Sequence, residues 1–200
     1  MKNRIFICII LSTLLLLTGC MKKNNEEINY NLEQTNYSYT DNKSNNYSNN
    51  VEILSTFSTT IYDKSNGRMH NLKLASSKLT GIIVKPGEEF SFNNSIGPYN
   101  EEKGFEKGKI FSSTGDVLEE YGGGICQIST TLYNALLPLN VEIIERHMHS
   151  KKVQYIEEGK DSTLSYGRLD FKFKNTLQYS IELSCKITNN EVIVEIKKKV

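Results

Sequence analysis

From residue 51 onward, hydrophobic residues recur mainly at every second position, and two stretches instead repeat every three or four. Glu52–Thr59 is rich in β-branched and aromatic residues and predicts a strand. Met69, Leu72, Ala75 or Ser76, and Leu79 share helical spacing. With the turn Ser65-Asn66-Gly67 before them and Gly81 after, they predict a helix over 68–79. Ile82–Val84, the turn Lys85-Pro86-Gly87-Glu88-Glu89 and Phe90–Asn93 predict strand, turn, strand. The charged, glycine-spaced stretch 99–109 reads as an exposed loop, and Lys109–Phe111 as a short strand. Ile128, Leu132, Ala135 and Leu136 then form the apolar stripe of a second helix, begun by Cys126 and ended by Pro138. Strands are expected over 141–149 and 151–156. Leu169, Phe171 and Phe173 alternate with Asp170, Lys172 and Lys174. Ile181, Leu183, Cys185 and Ile187 alternate again before a last hairpin arm at 189–200. Together these elements predict an α+β fold for residues 51–200: a mostly antiparallel β-sheet packed against two main helices, one starting at Cys126.

Residues 1–20 have the pattern of a targeting segment. Lys2 and Arg4 precede the apolar run Ile5–Leu17, which ends in Leu17-Thr18-Gly19-Cys20. The ending resembles a bacterial lipobox, implying cleavage before Cys20, a lipid on its sulfur, and anchoring on the extracytoplasmic face of the cell membrane. The apolar run is short for a membrane span. Residues 21–50, dense in Asn and Ser, carry no apolar periodicity and are expected to be a disordered tether. A flexible chain of that length reaches roughly 30 Å.

The formal net charge of +1 supplies no basic field, so a nucleic-acid partner is not expected. Of the four cysteines, Cys8 would leave with the leader and Cys20 would carry lipid, which leaves Cys126 and Cys185 as thiols. Cys185 reads as a small core side chain, with a disulfide to Cys126 as the alternative. His70 lies off its helix's apolar stripe and reads as a surface histidine.

The candidate chemistry centres on Tyr121-Gly122-Gly123-Gly124-Ile125-Cys126-Gln127-Ile128-Ser129. A thiol at a helix start lies among unpaired N–H groups at the positive end of the helix dipole, where a thiolate is favoured. If the strand over 141–149 is regular, Glu145, His147 and His149 share one face, and a histidine there is a candidate general base. A zinc site from Cys126, His147 and His149 lacks a fourth ligand at supporting spacing. No metal or cofactor is expected.

These residues carry a resemblance. Pro86-Gly87-Glu88 with Phe90-Ser91-Phe92-Asn93, then Gly122 to Ala135, Glu145-Arg146-His147-Met148-His149-Ser150, Gly159-Lys160-Asp161 and Asp170 to Asn175 resemble the VanW-domain family. Met148 and Ser162 stand where that pattern commonly has Pro and Ala. The resemblance implies a cysteine acyltransferase, an L,D-transpeptidase forming 3-3 cross-links between peptidoglycan stem peptides through a Cys126 thioester. His149 or His147 would be the base, and Asp161 or Asp170 would orient it. Gly123 and Gly124 would let the substrate approach, with Tyr121, Gln127 and Ser129 flanking the thiol. Arg146 would bind a carboxylate if a bulge turned it inward. Two other readings stay open: a cysteine endopeptidase of the wall, and a non-catalytic peptidoglycan-binding envelope lipoprotein associated with glycopeptide resistance.

Overall fold

The computed structural model describes residues 51–111, 114 and 116–199. The expected leader at 1–20, with Cys20, and the expected tether at 21–50 lie outside the described residues. Among those described, nine strands and three helices run in the order β1 (Ile53–Thr60), α1 (Asn66–Leu79), β2 (Ile83–Val84), β3 (Glu89–Ser91), α2 (Phe92–Ile96), β4 (Lys107–Phe111), β5 (Val117–Tyr121), α3 (Ile125–Leu136), β6 (Glu142–Glu145), β7 (Lys172–Lys174), β8 (Ser180–Ile187) and β9 (Glu191–Lys199).

The strands form three antiparallel sheets, ordered β1-β9-β8-β2, β3-β7-β6 and β4-β5. Period-2 alternation puts Ile181, Leu183 and Cys185 of β8 and Val192, Val194 and Ile196 of β9 on one buried face. Helices α1 and α3 cover that sheet with Leu72, Ala75 and Leu79, and with Ile128, Leu132 and Leu136. Each of these larger aliphatic side chains contributes roughly 1.5–3 kcal/mol by leaving water. Phe90, Phe92, Phe171 and Phe173 extend the core under the second sheet, with Phe90 and Phe173 rings 5.2 Å apart. The result is α+β: antiparallel sheets against α1 and α3, with α2 as a short third helix.

Local chemistry overrides the expected periodicity in several places. The strand expected over 90–93 stops at Ser91, whose Oγ accepts from the Asn94 N–H at 3.1 Å and caps α2 instead. The stretch 99–109 is not simply an exposed loop. Phe105 is buried edge-on against Tyr99, and Lys107 begins β4. Its partner β5 is an additional strand, closed into a hairpin by cross-strand pairing rather than by a strong apolar alternation.

The strand expected over 141–149 ends at Glu145, after an irregular register between Ile143 and Glu145. Beyond it only His147 forms an isolated bridge, to Thr163. Residues 151–156 form turns instead of the expected strand, with Val153 buried. Cys185 is 7% exposed in the core, and both it and Cys126 are free thiols.

Candidate active site

Glycine geometry sets where α3 begins. Gly124 caps the helix at φ 108°, a left-handed conformation that L side chains rarely adopt, and a Cβ there would press 2.9 Å from the Arg68 side chain. Gly123 lies flat on β4, so that a Cβ on it would come 2.4 Å from the Gly108 carbonyl carbon. Its own carbonyl accepts from the Asn71 amide of α1 at 3.1 Å. With the glycines locked between α1 and β4, Cys126 is placed in the first turn of α3, half-buried.

The polar face of α3 assembles the rest. Ser129, Thr130 and Asn134 are buried, and each binds the segment just before Thr163. The Ser129 and Ser162 hydroxyls are 2.7 Å apart, and the Thr130 Oγ1 accepts from the Ser162 N–H at 2.9 Å. The Asn134 amide donates to the Lys160 carbonyl at 2.8 Å. These bonds align residues 160–164 alongside the start of α3. In consequence Thr163 Oγ1 lies 3.6 Å from the Cys126 Sγ, and the Leu164 N–H points at that sulfur from 3.3 Å.

Held the same way, Asp161 faces His149. Its Oδ2 lies 2.6 Å from the His149 Nδ1 and accepts from the His149 backbone N–H at the same distance. With Nδ1 engaged by the carboxylate, Nε2 is the ring nitrogen left for the Cys126 thiol, with which His149 shares the lining of one cavity. Burial by itself would push the Cys126 thiol up. The hydrogen bond and charge of His149, then the Leu164 N–H and Thr163, reverse this and hold it below the ordinary thiol value of 9.0. Burial would likewise push His149 down, but the Cys126 sulfur, followed by Asp161, raises it above its ordinary 6.5. The two opposed shifts favour the thiolate and the imidazolium, each stabilised by the other.

Other expected site residues are placed elsewhere. The His147 Nε2 lies 2.9 Å from the Glu145 carboxylate, whose second oxygen pairs with Lys172 at 2.8 Å. Lys172 and then His147 hold Glu145 down to about 2. The expected shared face of Glu145, His147 and His149 therefore does not form, because the ladder ends at Glu145 and His149 turns toward Asp161. Asp170 accepts from Ser91 Oγ at 2.6 Å and from the Asn93 N–H at 2.9 Å, tying α2 to the start of β7. Arg146 donates to the Gly159 carbonyl and stacks over Tyr133. Tyr121 bonds Glu101 beneath Lys107. Gln127 lines the cavity beside Cys126, but its Nε2 is tied to Thr59 and Thr60 of β1.

A cavity of about 140 Å³ opens over the sulfur, lined by Cys126, His149, Gly124, Thr163, Leu164 and Tyr155 among others. Thr163, Leu164, Tyr155 and Arg68 went unnoticed as site residues in the sequence. They carry no motif signal, and only the pairing of 160–164 with α3 brings the first two to the thiol. Among the described residues, no group of three His, Cys, Asp or Glu side chains is placed to hold a metal ion. The arrangement is that of a nucleophile, a base and an orienting carboxylate, competent for acyl transfer through a thioester.

Comparison with known proteins adds the following. The family described as "VanW like protein" matches residues 67–197. The chain is 35% identical over 138 residues to the Bacillus subtilis protein YoaR, described as uncharacterized, covering 68% of this chain and 45% of that protein. It is 29% identical over 142 residues to the vancomycin B-type resistance protein VanW of Enterococcus faecalis, covering 68% of this chain and 50% of the relative. The chain thus spans about half the length of the curated relatives it matches. No solved structure matches it.

Proposed function

The chain belongs to the VanW-like family, and from that premise we propose that it is a cell-wall-acting cysteine acyltransferase, an L,D-transpeptidase whose donor is a peptidoglycan stem peptide. One observation carries this reading: Cys126 at the start of α3 lines one open cavity with a histidine that Asp161 orients. The printed name of the Enterococcus relative, a vancomycin resistance protein, supports a role at the wall. We place the domain outside the cell membrane, held by lipid on Cys20 through the 21–50 tether.

The Cys126 thiolate attacks the carbonyl carbon of the third stem residue. A C–S bond forms, and the charge on the carbonyl oxygen is met by the Cys126 N–H at the helix start and by the Leu164 N–H, released as the sulfur loses its charge. Each such donor is worth roughly 3–4 kcal/mol in other enzymes. As the tetrahedral centre collapses, the C–N bond to the terminal D-alanine breaks. His149, protonated at Nε2, gives that proton to the departing amine. The resulting thioester is attacked by the side-chain amine of a neighbouring stem. His149 takes up the amine's proton, the C–S bond breaks, and the thiolate returns. Asp161 holds the imidazole through both proton movements.

Incubating the full chain with disaccharide-tetrapeptides and weighing the products tests this. A cross-linked dimer lacking one D-alanine, absent with Cys126→Ala, is expected. A shortened monomer alone would mean that water resolves the thioester, making the protein a hydrolase. Unchanged substrate with the wild-type chain under reducing conditions would overturn catalysis in favour of a binding lipoprotein.

A further inference from the structure

Arg68, in the first turn of α1, makes no salt bridge with any of the described residues, and the charge of Asp63 acts on it only from a distance. Its Nη2 donates to the Gln127 Oε1 at 2.7 Å, and its Nε is buried without any partner. No carboxylate among the described residues lies within ion-pairing distance of it. Asp63, in the same groove, is bonded to the Ser65 N–H instead. A half-buried guanidinium without an anion in contact is costly. A structure that keeps one in a cleft is suited to an anionic ligand, and arginine's fork matches a carboxylate in two-point geometry.

The position of Arg68 is as informative as its charge. It lines the cavity over Cys126 and also a second cavity of about 270 Å³. Arg68, Lys109, Gln127, Val153 and Tyr155 border both, so the two form one groove leading away from the sulfur. Lys109 and Lys152 add positive charge along it. Arg68 also touches the site's frame directly, because its side chain occupies the space a Cβ on Gly124 would need.

We infer that Arg68 is a specificity residue that binds the free C-terminal carboxylate of the donor peptide, so that the bond cleaved is the last one of that peptide. The inference rests on the acyl-transfer reading above for the word donor, but the anion subsite is measurable without turnover. A carboxylate fixed by Arg68 places the terminal residue in the groove and its preceding carbonyl over Cys126. A peptide continuing past that residue, or ending in a carboxamide, presents no anion to the guanidinium.

The test uses two small electrophiles on the full chain, with alkylation quantified on the Cys126-containing peptide by mass spectrometry. Iodoacetate carries a carboxylate and iodoacetamide is its neutral counterpart, so the ratio of their rates reads the anion subsite. Arg68→Gln is expected to lower that ratio about ten- to hundredfold, the worth of a charge-assisted hydrogen bond. It should also abolish protection of the wild-type thiol by N-acetyl-D-alanine, whereas N-acetyl-D-alanine amide should protect neither protein. Arg68→Lys keeps the charge without the fork: the iodoacetate preference should persist and protection should weaken severalfold. This second variant decides the matter should Arg68→Gln not fold. An unchanged ratio and unchanged protection in a folded variant would overturn the assignment. So would a larger loss from Lys109→Gln than from the Arg68 variants. An intact anion preference in a protein that forms neither cross-linked nor shortened product would count against the acyltransferase reading and leave the subsite standing.

Discussion

Asp161 holds His149 at two points with one oxygen: Oδ2 lies 2.6 Å from both the ring Nδ1 and the backbone nitrogen. The carboxylate therefore sets the ring's orientation and stabilises its protonated form. Asp161→Asn keeps the shape but removes the charge and alters which ring nitrogen is protonated. It is expected to lower the acyl-transfer rate about 10²–10⁴-fold, as in comparable triads, with little change in substrate KM. Steady-state kinetics on a tetrapeptide donor check it, and a rate within threefold of wild type would remove Asp161 from the mechanism.

The opposed shifts of Cys126 and His149 define a pH window. The thiol is lowered below 9.0, so its contribution to stability is fully present above that value and is lost as pH falls through the lowered folded value. The imidazole is raised above 6.5, so its contribution is fully present below 6.5 and is lost as pH rises through the raised value. Iodoacetamide alkylation of Cys126 should therefore begin to accelerate at lower pH than for an ordinary thiol. In His149→Gln the acceleration should move to higher pH, because burial is then opposed only by the Leu164 N–H and Thr163. A wild-type inflection at the ordinary thiol value would contradict the lowered thiol.

Thr130 is fully buried and bonds the Ser162 N–H at 2.9 Å and its carbonyl at 3.2 Å. Thr130→Val conserves shape and strands both backbone groups, which should cost about 1–3 kcal/mol of folding stability. The larger consequence is for chemistry, since Asp161, Thr163 and Leu164 are all carried by the segment that Thr130 aligns. A fall in Cys126 alkylation rate should accompany the fall in denaturation midpoint. Lost stability with an unchanged rate would show that the segment is held by its other bonds alone.

Gly123 meets β4 too closely for any side chain. The Cβ of Gly123→Ala would come 2.4 Å from the Gly108 carbonyl carbon and 2.5 Å from its oxygen, and both are backbone atoms that cannot swing aside. An overpacked contact of this kind costs on the order of 1–3 kcal/mol. Because α3 starts here, the thiol should be displaced as well. Urea denaturation measures the first effect, and alkylation under native conditions the second.

The regular parts of this molecule were legible in the sequence because one physical rule governed them. Ile181, Leu183 and Cys185 alternate in the chain and are buried together in the sheet, and Leu72, Ala75 and Leu79 recur at helical spacing and face the core. The thiol was legible too, since three glycines before a helix are a backbone constraint written locally. The residues around it were not. Period-2 reasoning grouped His147 with His149, but the ladder stops at Glu145, where side-chain partners replace strand pairing. Asp161 and Asp170 looked equivalent in the sequence. One faces His149 because α3 binds its neighbours, and the other anchors α2. Arg68 gave no signal, because an unpaired charge is a property of three-dimensional surroundings.

The two histidines supply the sharpest separation of site from scaffold. His147 is over a third exposed and bonded to Glu145, whose charge is already balanced by Lys172. Losing one member of such a partly solvated group costs roughly 0–1 kcal/mol. His147→Gln should therefore leave the Cys126 alkylation rate and its pH profile within about twofold of wild type. It preserves the backbone bridge from the His147 carbonyl to the Thr163 N–H, which is what aligns the segment beneath the thiol. His149→Gln removes the partner that favours the thiolate and the acid that would protonate the leaving amine. Its alkylation rate at neutral pH should fall as thiolate is lost, and its acyl-transfer rate should fall about 10²–10⁴-fold. Equal losses in the two variants would return His147 to the site. A loss confined to His147 would mean that the Asp161–His149 pair is structural and that the base lies on the other side of the bridge.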